Sequence, residues 1–466
     1  MGRLLLLPML KHLKLPDCLF KYLGAAILII VPLYPKFPLI SISGTFVAIR
    51  FEDLLLAFGG ILIAFSCIKK TKSVFQNRVV GSLLMYLMVS GISLLSATLI
   101  TDTVDFRIGF YHWLRRVEYV IPFFIGMEII SRRVKVSFFL KIFLVVIFIA
   151  FVYGYGQKNF NWPIIVTQNQ EYSRGVALRY IPGGHINSTF AGHYDLASFL
   201  VMVLPIVVVS FFTLKGKISK FALAIVYLLG MWLLVNSASR ISLFSYLLAV
   251  LASMVMVKRY KEIIPIIIIS IVFVGFSTNL IGRYGRLMNI IKERFGYVGS
   301  TAGVVYAESQ TSIRRTDRPV PTPTPTPRVE DRSTNIRLNI EWPRAVRAFF
   351  KNPLLGTGYS SITLATDNDY LRSLGETGIL GFASFLLIFI NIFTHILNKY
   401  PFVGTQSGVN LALLAGFTGG MVGISVNAIF IDVFEASKFA IIFWFLAGLV
   451  VKVCEKNYEK GVENIH

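Results

Sequence analysis

Apolar runs of roughly 17 to 23 residues recur along the chain, the length a helix needs to cross the hydrocarbon core of a bilayer. They predict twelve spanning helices near 19–34, 52–68, 79–100, 117–131, 138–156, 190–213, 220–236, 241–257, 263–281, 377–397, 409–430 and 437–454. Two intervals break the rhythm: 157–189, and the much longer 282–376. The organisation that follows is nine spans over 1–281, a large loop over 282–376, then three spans and a tail over 377–466. Structureless connections that long are uncommon unless they carry function. Within the second loop, RPVPTPTPTPR (318–328) must be extended or polyproline-like. After it, Ile336, Ile340, Val346 and Phe350 can share one helical face, with Pro343 expected to kink or break the helix. Ser333 is the candidate N-cap, and Asn352-Pro353 with Gly356 the stop signal.

The polar breaks fix an orientation. KHLK (11–14), KKTK (69–72), SRRVK (131–135), KGKISK (215–220) and KRYK (258–261) all fall on one side of the predicted membrane. The positive-inside rule then puts that side, and both termini, in the cytoplasm. Both long loops face outside. The early LLLLPML run lacks a small-residue cleavage site and reads as an uncleaved start.

Composition agrees: 55% hydrophobic residues, 15% charged and a mean hydropathy of +0.68 exclude an ordinary soluble domain. The chain reads as an all-α polytopic membrane protein with a partly helical external loop. A net charge of +22 would suggest nucleic acid, but its distribution argues otherwise. The cytoplasmic side holds 17 Lys and 5 Arg, the external side 5 Lys and 19 Arg, twelve of those arginines in 282–376. Lysine satisfies an insertion rule, whereas arginine offers a planar fork for phosphate or carboxylate. An anionic external partner such as a lipid-linked phosphate is implied, unless the arginines only meet lipid headgroups. Cys18, Cys67 and Cys454 sit near cytoplasmic span ends and form no disulfide or zinc pattern.

Candidate chemistry concentrates on the external side. NSASRISLFSY (236–246) places Arg240 among small residues at the mouth between two spans, as a ligand or as an interfacial arginine. The first long loop supplies Arg174, Arg179, His185, His193 and Asp195. The histidine spacing fits no usual zinc site, and no metal or cofactor is expected. His193 and Asp195 fall at the first turns of a span, lining a polar cavity or lying at the interface. In TDNDYLRSLGETGILGF (366–382), Asp367 reads as a helix N-cap, with Asp369, Arg372 and Glu376 paired along one face. A carboxylate there could equally take a proton from a hydroxyl. Gly375, Gly378 and Gly381 form a close-packing stripe.

Three of these stretches together resemble the O-antigen ligase and polymerase superfamily. They are Ser239-Arg240; Arg337 through Trp342 followed by Pro353 to Gly358; and Asp367 to Leu371 followed by Glu376 to Gly381. STFAGHYDLASF (188–199) is similar to the segment entering the span before the Ser-Arg pair. The resemblance covers about 185 to 382. It implies a GT-C-like membrane fold and a metal-independent, inverting glycosyltransferase acting on an undecaprenyl-diphosphate-linked oligosaccharide. Arg240 and Arg337 would hold the diphosphate, and Asp367 would act as base or orient the acceptor. Asn368, Tyr370, Arg174, Arg179, His193 and Arg372 would line the substrate. The bilayer and a chain-length regulator are the implied partners. The ligases typically carry His where Asp367 stands here, which tilts the expectation toward a polymerase. A ligase acting on lipid A core or protein is the nearest rival. A transporter or flippase would place charges at mid-span, where this chain has almost none, and an adhesive structural protein has only the Pro-Thr spacer in its favour.

Overall fold

The computed structural model describes residues 16–41, 48–67, 76–164, 180, 184–275, 336–362, 365–402 and 408–463. Arg174, Arg179, Ser333 and the Pro-Thr stretch lie outside them. The described helices are α1 (Asp17–Leu33), α2 (Phe51–Cys67), α3 (Arg78–Leu99), α4 (Phe106–Ser131), α5 (Val136–Asn159), α6 (His193–Thr213) and α7 (Lys217–Asn236). They continue with α8 (Arg240–Met256), α9 (Ile263–Gly275), α10 (Trp342–Lys351), α11 (Asp369–Leu397), α12 (Gly408–Asn427) and α13 (Ser437–Glu463). A helix stands at each of the twelve predicted spans, and α10 is the additional one, in the large loop. Seven helices (α3, α5, α6, α7, α11, α12 and α13) are long and apolar enough to cross a membrane. The chain is thus a mostly helical, multi-pass membrane protein.

Local chemistry starts these helices where the sequence provides a cap. Asn77 accepts from the N–H groups of Val79 and Val80 at 2.7 and 3.3 Å. Asp105 does the same for Arg107 and Ile108 at 2.9 and 3.2 Å. Such side chains satisfy amides that the first helical turn leaves open. In the interior, α12 packs on α6 and α8, α13 on α4, and α3 on α11. Glycine makes the first contact possible: a Cβ at Gly416 would stand 2.5 Å from the Cα of Ile206. Small residues bring helix backbones together where dispersion, not water, drives association.

Three features depart from the simple pattern. A two-stranded antiparallel hairpin, β1 (Pro38–Ser41) and β2 (Ala48–Arg50), joins α1 to α2. Pro343 does not break its helix. A π-helical turn over Arg337–Glu341 runs directly into α10, and Pro343 takes one of the first α-helical positions, where a missing N–H costs little. Ile336, Ile340, Val346 and Phe350 all face outward, 37 to 71% exposed. Finally, α11 begins at Asp369, one residue past the start that a cap at Asp367 implied, and is interrupted at Gly378 (φ 65°, ψ −172°) as it enters the predicted span. The loop after α10 fills that break. Thr357 and Gly358 donate to the carbonyls of Gly375 and Glu376 at 3.0 and 2.8 Å, and Ile379 donates to that of Pro353 at 2.9 Å.

One end of the bundle gathers the C-termini of α1, α3, α5, α7 and α12 with the N-termini of α2, α4, α6, α8, α11 and α13. Buried Lys438 pins it, donating to the carbonyls of Tyr34 and Thr189 at 2.8 and 2.7 Å. The candidate residues that fall among the described ones lie at this end.

Candidate active site

Arg337 projects from the π-helical turn onto Asp367, its Nε and Nη2 donating to the same oxygen, Oδ2, at 3.0 and 2.7 Å. Nη2 also reaches the Tyr194 hydroxyl at 3.4 Å, and the guanidinium lies over that ring at 6.0 Å. Tyr194 stands beside His193 at the start of α6, and the His193 ring lies tilted against His185 with centroids 3.8 Å apart. Residues from the first loop, the second loop and the mouth of α11 therefore meet at one point.

Asp367 holds an unusual backbone position, φ 49°, which short polar side chains tolerate better than most. Its neighbours hold it there. Asp432, from the turn between α12 and α13, accepts the N–H groups of Thr366 and Asn368, both at 2.9 Å. The N-cap of α11 is Asn368, accepting from Leu371 N–H at 3.0 Å, and not Asp367. With its backbone in the left-handed region, Asp367 turns its carboxylate toward Arg337 instead.

Burial raises the Asp367 pKa above the ordinary aspartate value, against the opposing pull of Arg337, with Asp432 adding to the rise. Glu341, one turn beyond Arg337, is pushed up to about 7 by burial and then by the Asp367 charge, although Arg337 and Arg344 oppose this. Its Oε2 is buried and has no hydrogen-bond partner among the described residues. A carboxyl that titrates near neutrality beside a second carboxylate can exchange protons where neither would in water.

Arg240 opens α8 and is half-buried, with Ser239 as the N-cap. Behind it runs a buried polar chain. Ser239 donates to Ser242 at 2.7 Å, Ser242 to Asn427 at 3.0 Å, and Asn427 to Ser198 at 2.8 Å. It ties α8, α12 and α6 together. The next residue, Ala428, accepts the N–H of Asp369 at 3.0 Å and carries the connection to α11.

Below Asp367 lies a buried ionic network. Arg372 pairs with Asp432 at 2.9 Å, Glu435 at 3.4 Å and Glu376 at 3.5 Å. Arg116 of α4 pairs with Glu435, donates to the Phe434 carbonyl at 3.0 Å and lies over the Tyr359 ring. Asp369 does not pair with Arg372. It accepts from the N–H groups of Val433 (2.7 Å) and Phe434 (3.2 Å). The expected Arg372–Glu376 pairing is present but shared. A cavity of about 30 Å³, lined by Arg116, Asp369, Arg372 and Glu376, has room for one water.

The structure thus brings together Arg337, Asp367, Tyr194, His193 and Glu341, with Asp432 and Arg372 fixing the loop. Asn368 caps α11, and the Tyr370 hydroxyl donates to the Ser425 carbonyl at 2.8 Å. Asp195 pairs with Lys36 at 3.9 Å. Among the described residues no group of three or more His, Cys, Asp and Glu is placed to hold a metal. Sequence reasoning missed Glu341, Asp432, Tyr194 and Arg116. Glu341 lay in plain view between Arg337 and Trp342, and Tyr194 within STFAGHYDLASF, but Asp432 and Arg116 have no local signature.

Residues 223–386, roughly a third of the chain, match the O-antigen ligase family model. No curated protein matches the chain significantly. The matched interval contains Arg240, Arg337, Glu341 and Asp367. It supports the O-antigen ligase and polymerase superfamily, and glycosyl transfer of that broad type.

Proposed function

We propose, from that premise, that the chain is a polymerase joining lipid-diphosphate-linked oligosaccharide repeat units into an O-antigen or exopolysaccharide chain. The observation that carries this reading is the contact between Arg337 and Asp367, from opposite ends of the second loop's described part. An arginine that can grip phosphate lies against a carboxylate that can take a proton. In this scheme Arg240 and Arg337 hold the diphosphate and stabilise it as it leaves, the electrostatic role that most often dominates such chemistry. An acceptor hydroxyl attacks the anomeric carbon with inversion, the C–O bond to phosphate breaks, and the proton passes to Asp367. Glu341 stands ready to share that proton. Diphosphate binding draws Arg337 off Oδ2 and frees the carboxylate for this step. Asn368, Tyr370, Arg174, Arg179, His193 and Arg372 complete the substrate surroundings, and no metal takes part.

The same reading includes twelve crossings of the cytoplasmic membrane in a GT-C-like arrangement, both termini in the cytoplasm, and the site on the external face. The inside lysines and outside arginines support that orientation. A second reading, a ligase moving finished glycan to lipid A core or protein, is favoured by the description of the matched family, O-antigen ligase. Asp367 at the position where ligases typically carry His tilts toward the polymerase.

The test is incubation of purified protein with its lipid-diphosphate repeat unit and no other acceptor, with Arg240→Ala alongside. A glycan ladder that disappears in the variant is the expected result. Transfer only when lipid A core or protein is added would establish the ligase instead.

A further inference from the structure

A second basic cavity lies apart from the Arg337–Asp367 contact. It has a volume of about 540 Å³, within the range of small-molecule sites. Arg344, Arg347 and Lys351 line it from α10, and Thr101, Asp102 and Thr103 from the turn between α3 and α4. Thr357 and Ser361 close the far wall. The positions 344, 347 and 351 recur at helical spacing, so three cations share one face. Asp102 is the one acid among the lining residues, which leaves the cavity net positive. Arg344 Nη1 is buried and has no hydrogen-bond partner among the described residues.

The hydroxyl wall is built rather than incidental. Thr101 and Thr103 bond each other at 3.0 Å, Thr103 donates to the Thr357 carbonyl at 2.7 Å, and Thr357 bonds Ser361 at 2.7 Å. Thr357 also bonds the Gly375 carbonyl at 3.0 Å, anchoring the wall to the broken helix α11.

The chain around this polar cavity is apolar and exposed. Leu99 and Ile100 precede the threonines at 80 and 78% exposure, and Phe350 and Leu354 flank Lys351 at 71 and 62%. A free sugar phosphate has no use for such a border. A lipid does, because acyl or prenyl chains cover the apolar flanks while the head enters among the cations. We infer that this cavity is a docking site for the phosphate head of a membrane lipid, gripped by Arg344, Arg347 and Lys351, with the mutually bonded hydroxyls forming its rigid polar wall. The site is separate from Arg240 and Arg337 and does not depend on the transfer reaction. Two sources share this chemistry, a bulk anionic phospholipid and a polyprenyl diphosphate.

The test is native mass spectrometry of the full chain, titrated with phosphatidylglycerol or undecaprenyl diphosphate, with diacylglycerol and undecaprenol as phosphate-free controls. Binding of a phosphate lipid at least tenfold weaker in Arg344→Ala/Arg347→Ala is the expected outcome. Loss of both lipids alike in that double variant identifies a bulk-lipid site, and selective loss of the diphosphate a carrier-lipid site. Asp102→Asn keeps a residue suited to its left-handed backbone (φ 46°) and removes the opposing charge. It should tighten binding about threefold, a gain that misfolding does not produce. Undiminished binding in the double variant, or equal binding of the phosphate-free lipids, would overturn the assignment.

Discussion

Arg337 places two donors on one carboxylate oxygen, and that fork is the part a lysine cannot reproduce. Arg337→Ala should lower the initial rate of ladder formation by about 10²–10³-fold, the usual cost of a lost electrostatic stabiliser. Arg337→Lys should recover only a small part of it. Glu341 makes a prediction independent of any assay of transfer. Its folded-state pKa, raised to about 7, exceeds the unfolded value, so the folded protein holds this proton more tightly. The stability this confers is complete below about pH 4.5 and is lost as pH rises through about 7. Glu341→Gln should therefore flatten the decline in unfolding temperature between pH 5 and pH 8, with a modest effect because the side chain is only half-buried. At this scale short motifs pointed to Arg240, Arg337 and Asp367, and the structure brings the last two into contact. Asp432 was not, since nothing local in a sequence says that one aspartate will hold two amides more than sixty residues away.

Among the elements, α11 separates what periodicity reveals from what it hides. The three-residue glycine spacing implied a close-packing stripe, and Gly375 does approach α10, a Cβ there standing 2.9 Å from the Ala345 carbonyl oxygen, whereas the nearest atoms at Gly381 are those of Thr377 in its own helix. It did not reveal that Gly378 is left-handed and interrupts the helix, because hydrophobic pattern carries no information about φ. A Cβ at Gly378 would stand 2.6 Å from the Gly356 nitrogen, in a conformation that alanine resists. Gly378→Ala should cost about 1–3 kcal/mol, read as a lower unfolding temperature. Because the loop bonded to that break also walls the second cavity, the variant should weaken phosphate-lipid binding as well. The π-helical turn was hidden for a related reason. Pro343 signalled a disturbed ladder, but a wider turn and a broken one look alike in sequence.

For the whole molecule, helix positions were legible from the apolar runs: twelve predicted segments each carry a helix, and seven of the described helices are long and apolar enough to cross a membrane. The hairpin between α1 and α2 was not, being too short to show alternation. The proposed orientation can be checked with existing residues. Cys18 is exposed at the start of α1 and Cys454 is buried in α13. With Cys67 and Cys454 replaced by serine, a membrane-impermeant maleimide should label Cys18 in inverted vesicles and not in intact cells. The reverse would invert the proposed topology.

The hold of Asp432 on the amides of Thr366 and Asn368 also sets an order in time. A ribosome delivers the loop bearing Asp367 well before it delivers Asp432, with all of α12 in between. Until that later stretch arrives, Thr366 and Asn368 lack their acceptor, Arg372 lacks its nearest carboxylate, and Asp369 has no Val433 or Phe434 amide to receive. A nascent chain halted after α11 would have its earlier helices in place and its arginines exposed, yet no fixed carboxylate to meet them. On the proposed function, competence for chemistry is therefore conferred late in synthesis, once the acceptor that fixes this loop has emerged.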